Sequence, residues 1–117
     1  ELLAKSYNET YLAVTSSAAA TSVDCEAGNM FMHTLTEATT FTFSNPPVSG
    51  IGYIMSLEII QDASGSGFAV TWPTSVDWPT ATAPTISATA NAVDVFVFST
   101  RDGGTTWYGF TAGQAIA

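Results

Sequence analysis

The chain is nearly without positive charge: Lys5 and Arg101 are its two strong bases, against ten Asp and Glu residues and a net charge of −8. Nucleic-acid binders depend on Lys and Arg to neutralise phosphates. DNA and RNA are therefore excluded as natural partners, and an anionic lipid surface is a poor one. Charge of either sign is scarce, at 10% of residues, while hydrophobic residues make up 46%. That balance excludes a disordered chain and points to partner subunits. Cysteine occurs once, at Cys25, which rules out an intrachain disulfide and the small disulfide-stapled scaffolds. No apolar run approaches the roughly 20 residues that span a bilayer, and the start lacks the basic-then-apolar layout of a signal peptide. A soluble chain without membrane insertion is expected. At 117 residues there is room for one core.

What is present is strand grammar. Residues 1–9 hold Leu2, Leu3, Lys5 and Tyr7 without a breaker and predict a short helix or a connector. From residue 10 to 117 short runs of Thr, Val, Phe, Tyr and Ile alternate with Gly, Pro, Asn and Asp, which predicts one β domain. Phe31, His33 and Leu35 share one face of a strand, and Phe41 and Phe43 alternate with Thr40 and Thr42, so a hairpin turning near Glu37 and Ala38 is expected. Tyr53 to Gln61 is the most hydrophobic strand and predicts a central position. Residues 74–89 read as an irregular surface loop with a short edge strand. Asp94 to Thr100 and Thr105 to Thr111 form the clearest hairpin, because Arg101-Asp102-Gly103-Gly104 between them supplies positive-φ turn chemistry. Strands without a helical interlude predict a single antiparallel β-sandwich, jelly-roll-like in its connections.

Chemistry-bearing residues are few. His33 lies on an apolar strand face and reads as a packed, hydrogen-bonded histidine. Cys25 sits between Asp24 and Glu26, whose negative charge blunts a thiol, and reads as structural. Glu58, Asp62, Asp77, Asp94 and Asp102 include enough carboxylates for a glycosidase acid and base pair, but solvated strand-face and turn roles are the favoured reading of them. Asp102 precedes two glycines, the usual place of a turn-capping aspartate. No catalytic residue, metal ligand set or cofactor motif is assigned. The aromatic residues Trp72, Trp78, Trp107, Tyr108 and Phe110 suit sugar faces or apolar anchors as well as a core. Trp107 and Tyr108 are neighbours on a strand, so one faces inward and the other outward. Trp78, Asp77, Trp107 and Tyr108 are the candidate surface-contact residues.

An ordered series of segments runs from about residue 7 to residue 114. Gly28-Asn29-Met30-Phe31-Met32-His33-Thr34-Leu35-Thr36 is followed by Thr40-Phe41-Thr42-Phe43-Ser44-Asn45-Pro46-Pro47, Gln61-Asp62-Ala63 and Val70-Thr71-Trp72-Pro73. Val76-Asp77-Trp78, Ala83-Pro84-Thr85 and Asp102-Gly103-Gly104-Thr105-Thr106-Trp107-Tyr108-Gly109-Phe110 complete it. In this order the segments resemble the domain at the C-terminus of many tailed-bacteriophage fibre and other virion-surface proteins. Glu37-Ala38 stands where that family carries Gly-Asn, and Asp77 where it carries lysine. The resemblance implies a non-enzymatic, homotrimeric knob at a fibre tip on the virion surface, binding a host surface glycan or protein. Its alternative implication is a capsid decoration, cement or connector protein that binds other virion proteins alone.

Overall fold

Alternation of period two becomes strand wherever the sequence carries it. In the computed structural model, which describes residues 1–117, ten strands follow in order: β1 (Tyr11–Ala13), β2 (Ser16–Ser17), β3 (Ala20–Asp24), β4 (Met30–Thr34), β5 (Thr39–Ser44), β6 (Tyr53–Ile60), β7 (Val70–Thr71), β8 (Val76–Asp77), β9 (Val93–Thr100) and β10 (Trp107–Ile116). One sheet has the order β1-β4-β6-β9-β10-β8 and the other β2-β3-β5-β7. Residues 1–10 are exposed and carry no regular structure, so the short helix does not form. Ten residues cannot hold a helix without tertiary contacts, and Leu2 and Leu3 find none, at 90% and 94% exposure.

The sheets are mixed, which corrects the antiparallel expectation. Five strand pairs are parallel: β1/β4, β4/β6, β3/β5, β5/β7 and β8/β10. Three are antiparallel: β6/β9, β9/β10 and β2/β3. Parallel neighbours need a crossover, usually a helix. Here the crossover is a strand of the facing sheet: the chain passes from β3 to β4 to β5 to β6 to β7, changing sheet at every step. The expected hairpin from Phe31 to Phe43 is therefore absent. Leu35 N–H still donates to Ile60 O at 2.8 Å, beside β4, and the chain then crosses to β5 in the other sheet. Glu37 and Ala38 lack the residues that a tight turn demands, and the chain crosses at that place. A jelly roll is assembled from antiparallel Greek keys, so the parallel pairs leave that finer expectation without support.

The inner faces of the two sheets share one core. Phe31, Leu57, Phe96 and Phe98 from the larger sheet meet Val23 and Phe41 from the smaller one. Aromatic edges lock the layers: Phe43 meets Phe98 at 4.9 Å and Trp107 at 5.1 Å, and Trp72 meets Phe96 at 5.1 Å. Such pairs add about 0.5–1.5 kcal/mol each beyond their buried area. Buried polar residues close the ends. Gln61 binds Phe68 and Ser87 backbone through both ends of its amide, which pins the Ser- and Gly-rich loop after β6. The β9–β10 hairpin forms as its sequence predicts. Gly103 and Gly104 adopt φ of 71° and 80°, and Asp102 Oδ1 accepts the Thr106 N–H at 2.9 Å.

Candidate functional site

Position 107 is in the core and position 108 is outside it. Trp107 is 2% exposed and packs edge-on against Phe43 and Tyr53, so it leaves the candidate surface. Tyr108, one pleat further, is 39% exposed. Its ring is covered by the Arg101 guanidinium, 4.7 Å from the ring centroid, a cation–π contact within one hairpin. Together they wall one end of a groove of about 780 Å³ on the outer face of the larger sheet, with Ile54, Ser56, Val97 and Ser99 along it.

Asp77 is the register partner of Tyr108 on the edge strand β8, and it is exposed. Trp78 follows it and turns toward the core margin. It is half-buried, 5.6 Å from both Trp72 and Phe98 and 6.1 Å from Phe96. The backbone of Gly109 permits this position. A β-carbon there would lie 2.9 Å from Trp78 Cζ3 and 2.8 Å from Val76 Cγ1, closer than packed atoms approach. The ring thus lies directly against β10. Its remaining side faces a recess of about 380 Å³ that includes Pro79, Thr82, Pro84 and Phe110. The rim is strained: Thr80 and Ala81 both take left-handed φ, 55° and 54°. Non-glycine residues in that region cost about 1–3 kcal/mol each and cluster at ligand clamps. Backbone bonds hold the turn, with Ala81 N–H donating to Trp78 O at 2.9 Å.

Asp77 on β8 and Tyr108 on β10 are thus register partners on the outer face, whereas Trp78, one residue past β8, lies on a different surface. Tyr108 belongs to the flat outer face, and Trp78 to the edge recess. Phe110, Pro79 and Pro84 complete the recess without having been singled out as contacts. The shared outward face of Tyr108 and Phe110 was legible in their alternation. The two prolines carried no such signal, because their loop has no periodicity.

The titratable groups serve the fold. His33 is 1% exposed; its Nδ1–H donates to Val14 O at 2.8 Å and its ring meets Phe41 edge-on. Cys25 is buried, and burial foremost, with the Asp24 charge adding to it, pushes its thiol up to about 11. Burial therefore outweighs the neighbouring charges that the sequence suggested. Asp62 binds Ser66 through its backbone N–H and its hydroxyl, and Asp102 caps the last hairpin. Asp94 is fully buried and accepts Ser87 N–H at 2.8 Å, Ala115 N–H at 2.9 Å and Gln114 Nε2 at 3.1 Å. Burial would raise its pKa, but these donors together outweigh burial and hold it below the ordinary carboxylate value. Glu58 accepts Tyr11 OH at 2.6 Å, and chiefly that bond pushes the phenol up to about 12. No three His, Cys, Asp or Glu residues gather as a metal-holding group.

Compared with known proteins, the chain matches no family model, no curated protein and no solved structure.

Proposed function

We propose that the chain is a structural protein of a bacteriophage virion, the tip domain of a homotrimeric fibre, and that it binds the host cell surface without catalysis. The observation that carries this reading is the recess beside Trp78. An indole locked by Gly109, Trp72 and Phe98 forms one wall, Phe110 and two prolines line the rest, and a strained loop holds the rim. A rigid aromatic wall loses little entropy on binding. Its chemistry suits the apolar face of a neutral sugar or an apolar side chain of a surface protein. The resemblance of the ordered segments to virion-surface domains supports the setting.

Ala83→Arg tests this reading, because residue 83 is exposed on the recess rim and outside the core. The expected result is at least a tenfold loss of binding to host cells with an unchanged melting temperature. Unchanged cell binding refutes the Trp78 recess as the host contact. A second reading, a capsid decoration or connector protein, is favoured by the apolar outer face of the larger sheet. It predicts stoichiometric binding to virus particles and none to cells.

A further inference from the structure

The pairing of β5 with β7 stops early. Thr39 and Thr40 lie beside Val70 and Thr71, but Pro73 has no N–H to offer a ladder, and the chain leaves for β8 in the other sheet. The edge of β5 from Phe41 to Ser44 therefore has no strand on that side. Between this edge and residues 71–75 lies a cleft of about 410 Å³, with Gly104 and Trp107 also in its lining. Small-ligand sites occupy about 300–1,000 Å³.

The ring of Trp107 belongs to the core, at 2% exposure, but its nitrogen does not. Two unpartnered side-chain nitrogens are sealed inside the fold, His33 Nε2 and Trp72 Nε1. Trp107 Nε1 also has no partner within the chain, yet it is not sealed, and the residue opens on the cleft. Gly104 keeps the approach clear. A β-carbon there would stand 3.3 Å from Trp107 Nε1 and 2.8 Å from Pro46 Cγ. An indole N–H can only donate, so this one calls for an acceptor oxygen from outside the chain.

The remaining lining selects the kind of acceptor. No charged side chain is among it. An anion would approach a body of net charge −8 with no base to receive it, and a cation would find no carboxylate. Thr40, Thr42, Thr71, Thr74 and Ser75 instead bring five hydroxyls, each able to donate and to accept, beside the apolar rings of Phe41 and Phe43. Neutral hydroxyls set around apolar C–H faces are the matching chemistry of a sugar.

We propose that this cleft binds a neutral sugar, with an acceptor oxygen of the ligand on Trp107 Nε1–H and the rim hydroxyls bonding around the ring. The cleft shares no lining residue with the Trp78 recess, so it is a second site and stands whether or not that recess is the host contact.

Proton–nitrogen NMR of the full chain tests it, with D-galactose, D-glucose and N-acetyl-D-glucosamine each added to about 100 mM, because a single ring binds with millimolar affinity. The three tryptophans give three indole N–H signals. With at least one of these sugars the Trp107 signal should move downfield, furthest of the three, and saturate. Thr42→Arg and Thr74→Arg, both at exposed positions of the lining, should each weaken that binding at least tenfold with the melting temperature kept. Ala83→Arg, on the rim of the Trp78 recess, should bind the sugar as the wild type does. A Trp107 signal unmoved by all three sugars overturns the proposal, as does a shift that persists unchanged in both rim variants. Sugar binding lost in Ala83→Arg but kept in the rim variants places the sugar in the recess and overturns it too.

Discussion

Gly109→Ala puts a single methyl group where the edge of the larger sheet has no room. The new carbon would lie 2.8 Å from Val76 Cγ1, 2.9 Å from Trp78 Cζ3 and 3.0 Å from Trp78 Cε3. Ordinary carbon contacts begin near 3.5 Å, so the neighbours must give by more than half an ångström. Neither is a flexible chain end. Val76 is branched at Cβ and 8% exposed, and the indole is wedged against Trp72, Phe96 and Phe98. Overpacking of this kind costs about 1–3 kcal/mol. Alanine recovers about 0.4–1 kcal/mol by restricting the unfolded chain, which at mid-range leaves a net loss of about 1.3 kcal/mol and at most about 2.6 kcal/mol. For a domain of this length that is a fall in melting temperature on the order of 4–10 °C. Urea titration followed by tryptophan fluorescence measures it, with a native-state spectral change expected as Trp78 is displaced. A variant as stable as the wild type, with an unchanged spectrum, would refute the packing of Trp78 on β10.

Asp94→Ala leaves Ser87 N–H and Ala115 N–H without their carboxylate acceptor. At about 1–3 kcal/mol for each orphaned donor, a loss of about 3–5 kcal/mol is expected in urea unfolding at neutral pH; a loss under about 1 kcal/mol would contradict the assignment. The folded pKa of Asp94 is lowered, so its stabilisation is complete above the unfolded value of about 3.9 and is lost as pH falls through it toward the folded value. The urea midpoint should therefore hold from pH 7 to 5 and drop below about pH 4, with a smaller drop in Asp94→Asn. Cys25, with its thiol at about 11, should resist a disulfide reagent at pH 8 in the native state and react at once in urea. Rapid native labelling would show that the thiol is accessible after all.

Much of the fold was legible because a strand's period and its turn chemistry are local. Tyr53 to Ile60 alternates over eight residues and takes the middle of the larger sheet. The last hairpin was readable for a further reason: Gly103 and Gly104 mark the positive-φ turn that joins two antiparallel neighbours. Phe31 and Phe41 were each placed on the correct face of a strand, but not in the correct sheet. Alternation shows which way a side chain points and is silent on which strand lies alongside. Where two strands are joined through the facing sheet, no local turn encodes the pairing.

By itself the sequence determined an all-β chain, poor in positive charge, with a single thiol, a closing β9–β10 hairpin and an inward–outward split between Trp107 and Tyr108. The tertiary structure alone decided the parallel pairs, the burial of Asp94 and the setting of Trp78 against Gly109. It also separated Trp78 and Tyr108 onto two surfaces. The physical reason is range. Propensity, alternation and turn residues act over a few positions, whereas these features depend on backbone segments brought together from 19 to 31 residues apart, and only the closed fold sets those distances.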